Sequence, residues 1–216
     1  FGQAIASDAS GNSYVTGYFQ NTASFGSTSL STSGGPDIFI AKLDSNGNWL
    51  WAKNAGGTSS DEGNGIASDA SGNSYVTGYF LGTASFGSTS LISSGGYDFF
   101  VAKLDSSGNW LWAKKAGGTS SDYGRAIAID ASGNSYVTGY FNGTASFGNT
   151  SLTSGGFDDV LVAKIGLEYQ LISPNGGEYW QSGSTQSVYW NFFGTGSQVN
   201  IYLSQNNGQN WMILNA

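Results

Sequence analysis

Cysteine and histidine are both absent from the 216 residues. That removes thiol nucleophiles, imidazole general bases and the two commonest transition-metal ligands. Positive charge is scarce as well. Lys and Arg together number seven against fourteen Asp and Glu, a formal charge of −7. A chain without a basic patch cannot neutralise a row of phosphates, which argues against nucleic acid as a partner. The acidic balance favours solubility and suits a secreted or cell-surface protein. No run is long and apolar enough for a membrane span, and no signal peptide is visible. The chain opens inside a repeat, so it reads as a fragment of something longer, and the missing signal says nothing about export. Thirty-four Gly among many Ser and Thr point toward disorder, but aromatics at 15% oppose it, because disordered chains are poor in them. The expectation is a folded, turn-rich, all-β chain.

One stretch organises the sequence. Residues 7–19, Ser-Asp-Ala-Ser-Gly-Asn-Ser-Tyr-Val-Thr-Gly-Tyr-Phe, return unchanged at 68–80 and with only the first residue altered at 129–141. Ile5, Ile66 and Ile127 are equivalent and stand 61 residues apart (66 − 5, 127 − 66). A gapless period of this length marks an array of supersecondary units. Units 1–61 and 62–122 differ at only a dozen positions, which points to a recent duplication. Each offers four strand candidates: a (4–7), b (13–19), c (37–43) and d (49–53). The a–b link, Asp8-Ala-Ser-Gly-Asn12, and the c–d link, Asp44-Ser-Asn-Gly-Asn48, have the composition of tight hairpins. Gly supplies the positive φ, and Asp accepts hydrogen bonds from the following backbone N–H groups. Strands c and d, Ile38-Phe-Ile-Ala-Lys-Leu43 and Trp49-Leu-Trp-Ala52, are nearly continuous apolar runs. An antiparallel sheet with one wet face should alternate, so these sheets should be covered on both faces. Phe39, Phe100, Trp51 and Trp112 are expected to be among the most buried residues.

Units reading A-I-A-x-D-A-S-G-N-S-Y-V-T-G-Y-F and then D-x-F-x-A-K-L-D-x-x-G-N-x-L-W resemble the bacterial SBBP-type β-propeller repeat. The resemblance covers residues 1–165 and implies four-stranded antiparallel blades around an axis, usually six to eight per ring. It implies no catalytic set, since propellers serve many functions. The third unit, 123–165, departs from its siblings: after Lys164-Ile165 the expected Asp-Ser-x-Gly-Asn-Trp-Leu-Trp is missing. Its strand d is either absent or supplied from elsewhere, by residues before Phe1 or by 168–174 folding back. From about Glu168 the composition changes. Leu171-Ile-Ser-Pro-Asn-Gly-Gly-Glu-Tyr-Trp180 resembles the PNGGE opening of Ig-like modules related to the Kre9/Knh1 cell-wall family. Residues 168–216 would then be the first part of such a β-sandwich, cut short of the about 100 residues a sandwich needs. The expected fold class is thus all-β, an incomplete propeller followed by a truncated Ig-like module.

Few residues suggest chemistry. Asp8-x-Ser10-x-Asn12 has the first-half spacing of a calcium loop. It lacks the glycine at the sixth position and the bidentate Glu at the twelfth, so Asp8 is expected to cap a turn. Lys42, Lys103 and Lys164 in strand c have no cofactor-like surroundings, and their stems should pack while the amines reach a rim or a nearby Asp. Trp49, Trp51, Trp110 and Trp112 could stack on sugars, but in apolar strands they fit the inter-blade core better. No pair of convergent carboxylates suggests hydrolysis, so no catalytic residue, metal ligand or cofactor is assigned.

Four antiparallel strands put the a–b and c–d turns at one end of a blade. The longer b–c (20–36) and d–a (56–61) connections lie at the other. The units also vary at that second end, and loops on a rigid scaffold are where binding usually resides. The candidate binding face comprises Gln20, Asp61, Glu62, Leu81, Tyr97, Asp122, Tyr123, Arg125, Asn142 and Phe157. The expected function is a non-enzymatic, exported or cell-surface scaffold for adhesion or for binding an extracellular protein or glycan. An accessory propeller of a secreted hydrolase or lyase, or a plain spacer, is the alternative. Missing blades would come from a longer chain or from self-association.

Overall fold

The computed structural model describes residues 1–131 and 133–165, and beyond them the strands Tyr169–Ser173, Tyr189–Phe192, Ile201–Leu203 and Met212–Leu214. Every regular element among the described residues is a strand. The chain divides into two compact units, Phe1–Glu168 and Tyr169–Ala216.

The first repeat supplies β1 (Gly2–Ser7), β2 (Ser13–Phe19), β3 (Thr22–Phe25), β4 (Thr28–Ser31), β5 (Asp37–Leu43) and β6 (Trp49–Gly57). The second supplies β7 (Glu62–Ser68), β8 (Ser74–Phe80), β9 (Thr83–Phe86), β10 (Thr89–Ile92), β11 (Asp98–Leu104) and β12 (Trp110–Gly118). The third supplies β13 (Tyr123–Ile129), β14 (Ser135–Phe141), β15 (Thr144–Phe147), β16 (Thr150–Thr153) and β17 (Asp159–Ile165). Strands a to d form an antiparallel blade in the order β1-β2-β5-β6 and again as β7-β8-β11-β12. Both tight turns close as the sequence implies. In the a–b turn, Gly11 takes φ 77° and its N–H donates to the Asp8 carbonyl.

Two features differ from expectation. The b–c connection is not irregular but contains a hairpin, β3–β4 and its equivalents. Its two-residue link Gly26-Ser27, with φ 60° at Gly26, fits a II′ turn. Strand d also runs on to Gly57 and Gly118 rather than ending at 53. These additions interlock neighbours. Gly56 and Gly57 at the end of β6 pair with Ser85 and Ala84 of the next unit's β9, and Gly117 and Gly118 pair with Ser146 and Ala145 of β15. Each full sheet therefore has six strands, four from one repeat and a hairpin from the next. β3–β4, which meets no such strand among the described residues, stands as its own two-stranded sheet.

Blades stack face to face, which explains the non-alternating strands. One continuous core joins Tyr14, Ile38, Ile40 and Ala55 of the first blade to Ile66, Val76, Phe80 and Phe100 of the second. Ala84 and Phe86 of the β9 hairpin share it. Close approach depends on glycine: a methyl group on Gly63 would lie 2.3 Å from Thr16 Oγ1, and one on Gly124 would lie 2.3 Å from Thr77 Oγ1. The buried threonine hydroxyls donate within their own blades, Thr16 to the Phe39 carbonyl at 2.9 Å and Thr77 to that of Phe100 at 2.8 Å.

Phe39 and Phe100 are buried as expected, but Trp51 and Trp112 are only half-buried. They lie on the last strand of each blade. The Trp51 indole N–H donates to the Ser106 carbonyl at 3.1 Å, toward the blade rim. The third sheet has three strands among the described residues, β13-β14-β17. In the second compact unit, Tyr169–Ser173 pairs with Tyr189–Phe192. No further blade follows among the described residues, and Val160 and Val162 are 77% and 73% exposed, whereas their equivalents Phe99 and Val101 are buried. Residues 174–180, which carry the PNGGE resemblance, lie outside the described residues.

Candidate binding face

The two ends of the blades differ in character. At the turn end, each repeated Asp is consumed by its own loop. Asp8 Oδ1 accepts the N–H groups of Ser10 and Asn12 at 2.9 and 3.0 Å, and Oδ2 accepts the Asn12 amide and the Tyr14 hydroxyl at 2.8 and 3.0 Å. Slight burial pushes the Asp8 carboxyl up, but the donors of Asn12, Tyr14 and Ser10 outweigh it and hold it below the usual range. With four donors on two oxygens, no lone pair is left for a metal, and no group of three or more Asp and Glu among the described residues could hold one. Thermal melts in excess calcium and in chelator are expected to coincide, because a ligand bound only by the native state would raise the melting point. A calcium-induced rise of several degrees would show that the loops had been misassigned.

The strand-c lysines are structural at this end. Lys103 lies over the Tyr75 ring at 4.7 Å with its ammonium 3.8 Å from Asp69, and Lys42 lies over Tyr14 at 4.8 Å. The Tyr14 hydroxyl also lies 2.9 Å from the Gly72 carbonyl across the junction, so its single O–H is shared between Asp8 and that carbonyl.

At the loop end the variable residues converge on the second junction. Tyr97 and Tyr123 pack edge to face against Tyr79, with centroids 5.0 and 4.8 Å away, and Tyr123 stacks on Tyr140 at 4.9 Å. The exposed Arg125 guanidinium lies 5.4 Å from the Tyr123 ring centre and 5.1 Å from that of Tyr140, and donates to the Tyr140 hydroxyl at 2.7 Å. The Tyr79 hydroxyl is hydrogen-bonded to Glu62, and burial, then that carboxylate, push its pKa well above the ordinary range. Burial likewise raises Tyr123. Tyr79 and Tyr123 therefore stay neutral at physiological pH, and the cluster sets the exposed Arg125 cation beside half-buried tyrosines with the Glu62 carboxylate on its flank. The matching place in the first junction holds Tyr18 and Pro36 with Glu62, and Phe1 stacks on Tyr18 at 5.0 Å.

Of the ten candidates, Tyr97, Tyr123, Arg125 and Glu62 are thus gathered at one place. Tyr79 and Tyr140 belong with them. Variation between units could not find them, because both sit in the unchanging Gly-Tyr-Phe segment. Gln20 is exposed, and Phe157 is 91% exposed. Leu81 and Asn142 are half-buried and turn their backbone N–H groups inward to Asp61 and Asp122 at 3.1 and 3.2 Å. Asp61 and Asp122 themselves correct the expectation. Both are fully buried and bind loop backbone, so they shape the face without being available to a ligand.

Two comparisons bear on the class. The SBBP beta-propeller repeat matches residues 50–79 and 111–147, each match running from a strand d into the following unit. An uncharacterized WD repeat-containing protein of Acanthamoeba polyphaga mimivirus is 28% identical over 114 residues, 44% of this chain and 8% of that protein. The chain therefore spans only a small part of that relative's length. With the antiparallel blades, these findings define a β-propeller-type repeat scaffold. Within that class, the repeat is similar to the SBBP type.

Proposed function

We propose that this scaffold is non-enzymatic and acts as an exported or cell-surface binding module, with the loop end of its second junction as the contact surface for an extracellular protein or glycan. The observation that carries the proposal is the tyrosine–arginine cluster. Two of its tyrosines and its arginine stand at positions where otherwise near-identical repeats diverge: 36/97, 1/62/123 and 3/64/125. Tyrosine and arginine supply large, amphipathic contact area and dominate binding hot spots. Among the described residues no acid–base pair converges on an open cleft. A helix long and apolar enough to cross a membrane is absent among the described residues, a fact that bears on helical spans alone.

The test is a glycan and extracellular-protein binding screen of the full chain beside Tyr123→Ala and Arg125→Ala variants. Each substitution is expected to weaken a specific hit at least tenfold while the melting point changes little, as at other hot spots. A hit that ignores both substitutions places the contact surface elsewhere. Turnover of any screened glycan would refute the non-enzymatic reading.

A further inference from the structure

Each blade junction is tied by a buried pair of carboxyl groups. Asp37 opens β5, Asp61 ends the link into β7, and both are fully buried. Asp61 joins three segments. Its Oδ2 accepts the Gly57 N–H at 2.7 Å, its Oδ1 accepts the Leu81 N–H at 3.1 Å, and its own N–H donates to the Pro36 carbonyl at 2.8 Å. Asp37 Oδ2 accepts the Ser33 N–H at 3.2 Å, but Oδ1 is buried without a hydrogen-bond partner. Gly56 lies between the pair: a methyl group there would sit 2.7 Å from Asp37 Oδ1 and 2.8 Å from Asp61 Oδ2. The two carboxyls face each other across a single glycine.

The second junction repeats this with Asp98 and Asp122. A methyl on Gly117 would lie 2.6 and 2.8 Å from the pair, and Asp98 Oδ1 is again without a partner. One position differs. Lys115 places its ammonium 2.7 Å from Asp98 Oδ2 and 2.6 Å from Ser94 Oγ, whereas the equivalent residue in the first junction is the uncharged Asn54, which lies beside Asp37 and donates its amide to the Ser31 carbonyl at 3.1 Å. Two repeats that are otherwise near copies thus hold the same buried pair with and without a cation.

We infer that the first junction is a proton-dependent lock, tight while the Asp37–Asp61 pair carries a proton and loosened when both ionise, whereas at the second junction the Lys115 ammonium offsets one charge of the Asp98–Asp122 pair. Two buried carboxyls on either side of one glycine cannot both ionise without a desolvation and repulsion cost. Around Asp61, β5 contributes Asp37, the end of β6 contributes neutral Asn54 and the Gly57 N–H, and the loop after β8 contributes the Leu81 N–H. The neighbouring Glu62 carboxylate is bonded to Tyr79. At the second junction burial raises Asp122 as well, opposed by the N–H groups of Gly118 and Asn142, with Asp98 and Asp158 adding to the rise; Lys115 pairs with Asp98 there and reduces the charge that the pair would carry. Asp61 is pushed up to about 7, first by burial, partly offset by the N–H groups of Gly57 and Leu81, with Asp37 adding to the rise.

A carboxyl raised in the folded state binds a proton there that the unfolded chain has already lost. Its stabilisation is therefore greatest in acid and declines as pH rises from the unfolded value, about 4, through the folded value near 7. The full chain is expected to melt about 5 °C lower at pH 8.5 than at pH 5.5. Asn54→Lys should flatten that slope by supplying the missing ammonium, and Asp61→Asn should flatten it by removing a charge. Lys115→Asn should steepen it. Amide exchange at Gly57 and Leu81, corrected for intrinsic rate, should quicken at pH 8.5 ahead of Gly118 and Asn142. A wild-type melting point that does not change across this window would overturn the inference, as would a slope unaltered by Asn54→Lys. A slope that appears only in the presence of chelator would assign the pair to a metal cation and overturn it equally.

Discussion

Replacing Phe100 by Ala is expected to destabilise the chain by about 3–5 kcal/mol, the usual cost of emptying a large aromatic site in a core. Its ring is completely buried, tilted against Phe86 at 4.9 Å, in the core that also contains Ile38 and Ile40 of the first blade. The void would open at the junction itself, so the loss should appear as a lower denaturation midpoint for both blades together. The repeats supply an internal control. Val101 is fully buried by the third blade, while its equivalent Val162 is 73% exposed. Truncation to Ala should cost about 2 kcal/mol at Val101. At Val162 it should stay within about 0.5 kcal/mol, the ordinary range for a surface site. Chemical denaturation of the two variants side by side decides the matter. Equal losses would mean that the outer face of the third blade is covered in solution.

Much of this arrangement was legible in the sequence because it is local. Asp8-Ala-Ser-Gly-Asn12 encodes its turn in five residues, and the structure closes it with the Asp acceptor and the positive-φ glycine that the composition implied. The apolar runs of β5 and β11 announced sheets covered on both faces, and every residue of β5 from Asp37 to Lys42 is indeed buried. The β3–β4 hairpin is equally local. Its signal is a Gly-Ser link between two short runs that alternate in Thr-Ala-Ser-Phe fashion, with Ala84 and Phe86 of the second unit inward and Thr83 and Ser85 outward. Only the register could not be read. Nothing in the hairpin's own residues says that its pairing partner is the strand d of the preceding unit, because that choice is made by stacking between blades. The same limit applies at the loop end. Variation singled out Tyr97, Tyr123 and Arg125, but Tyr79 and Tyr140 join them only through the fold. Asp61 and Asp122 stand in a Gly/Ser-rich connection that reads as exposed, yet they are buried because three backbone segments converge on each.

At the interlock a single methyl group should do severe damage. In β6, Gly57 lies so close to the next unit's hairpin that a methyl there would stand 1.9 Å from the Thr83 carbonyl oxygen. In β12, Gly118 meets the Thr144 carbonyl at the same distance. These are backbone atoms, held by the ladder itself, and neither can swing aside as a side-chain tip would. Gly57→Ala must therefore force β9 off the edge of β6. That breaks the Gly56–Ser85 and Gly57–Ala84 pairings and lifts Ala84 and Phe86 out of the junction core. The expected loss is about 3 kcal/mol or more, combining overpacking with exposure of buried apolar surface. Gly118→Ala should do the same to Ala145 and Phe147 at the second junction. Gly2→Ala is the control: no atom lies within 4 Å of the added methyl, so it should be neutral or slightly stabilising through the unfolded chain. Limited proteolysis gives the local readout. Gly57→Ala should expose residues 83–92 to cleavage at protease levels that leave the wild type intact, since the freed hairpin would open independently of the blades. If Gly57→Ala melts and resists protease like the wild type, then β9 is not seated on β6, and the blades are held together by face packing alone.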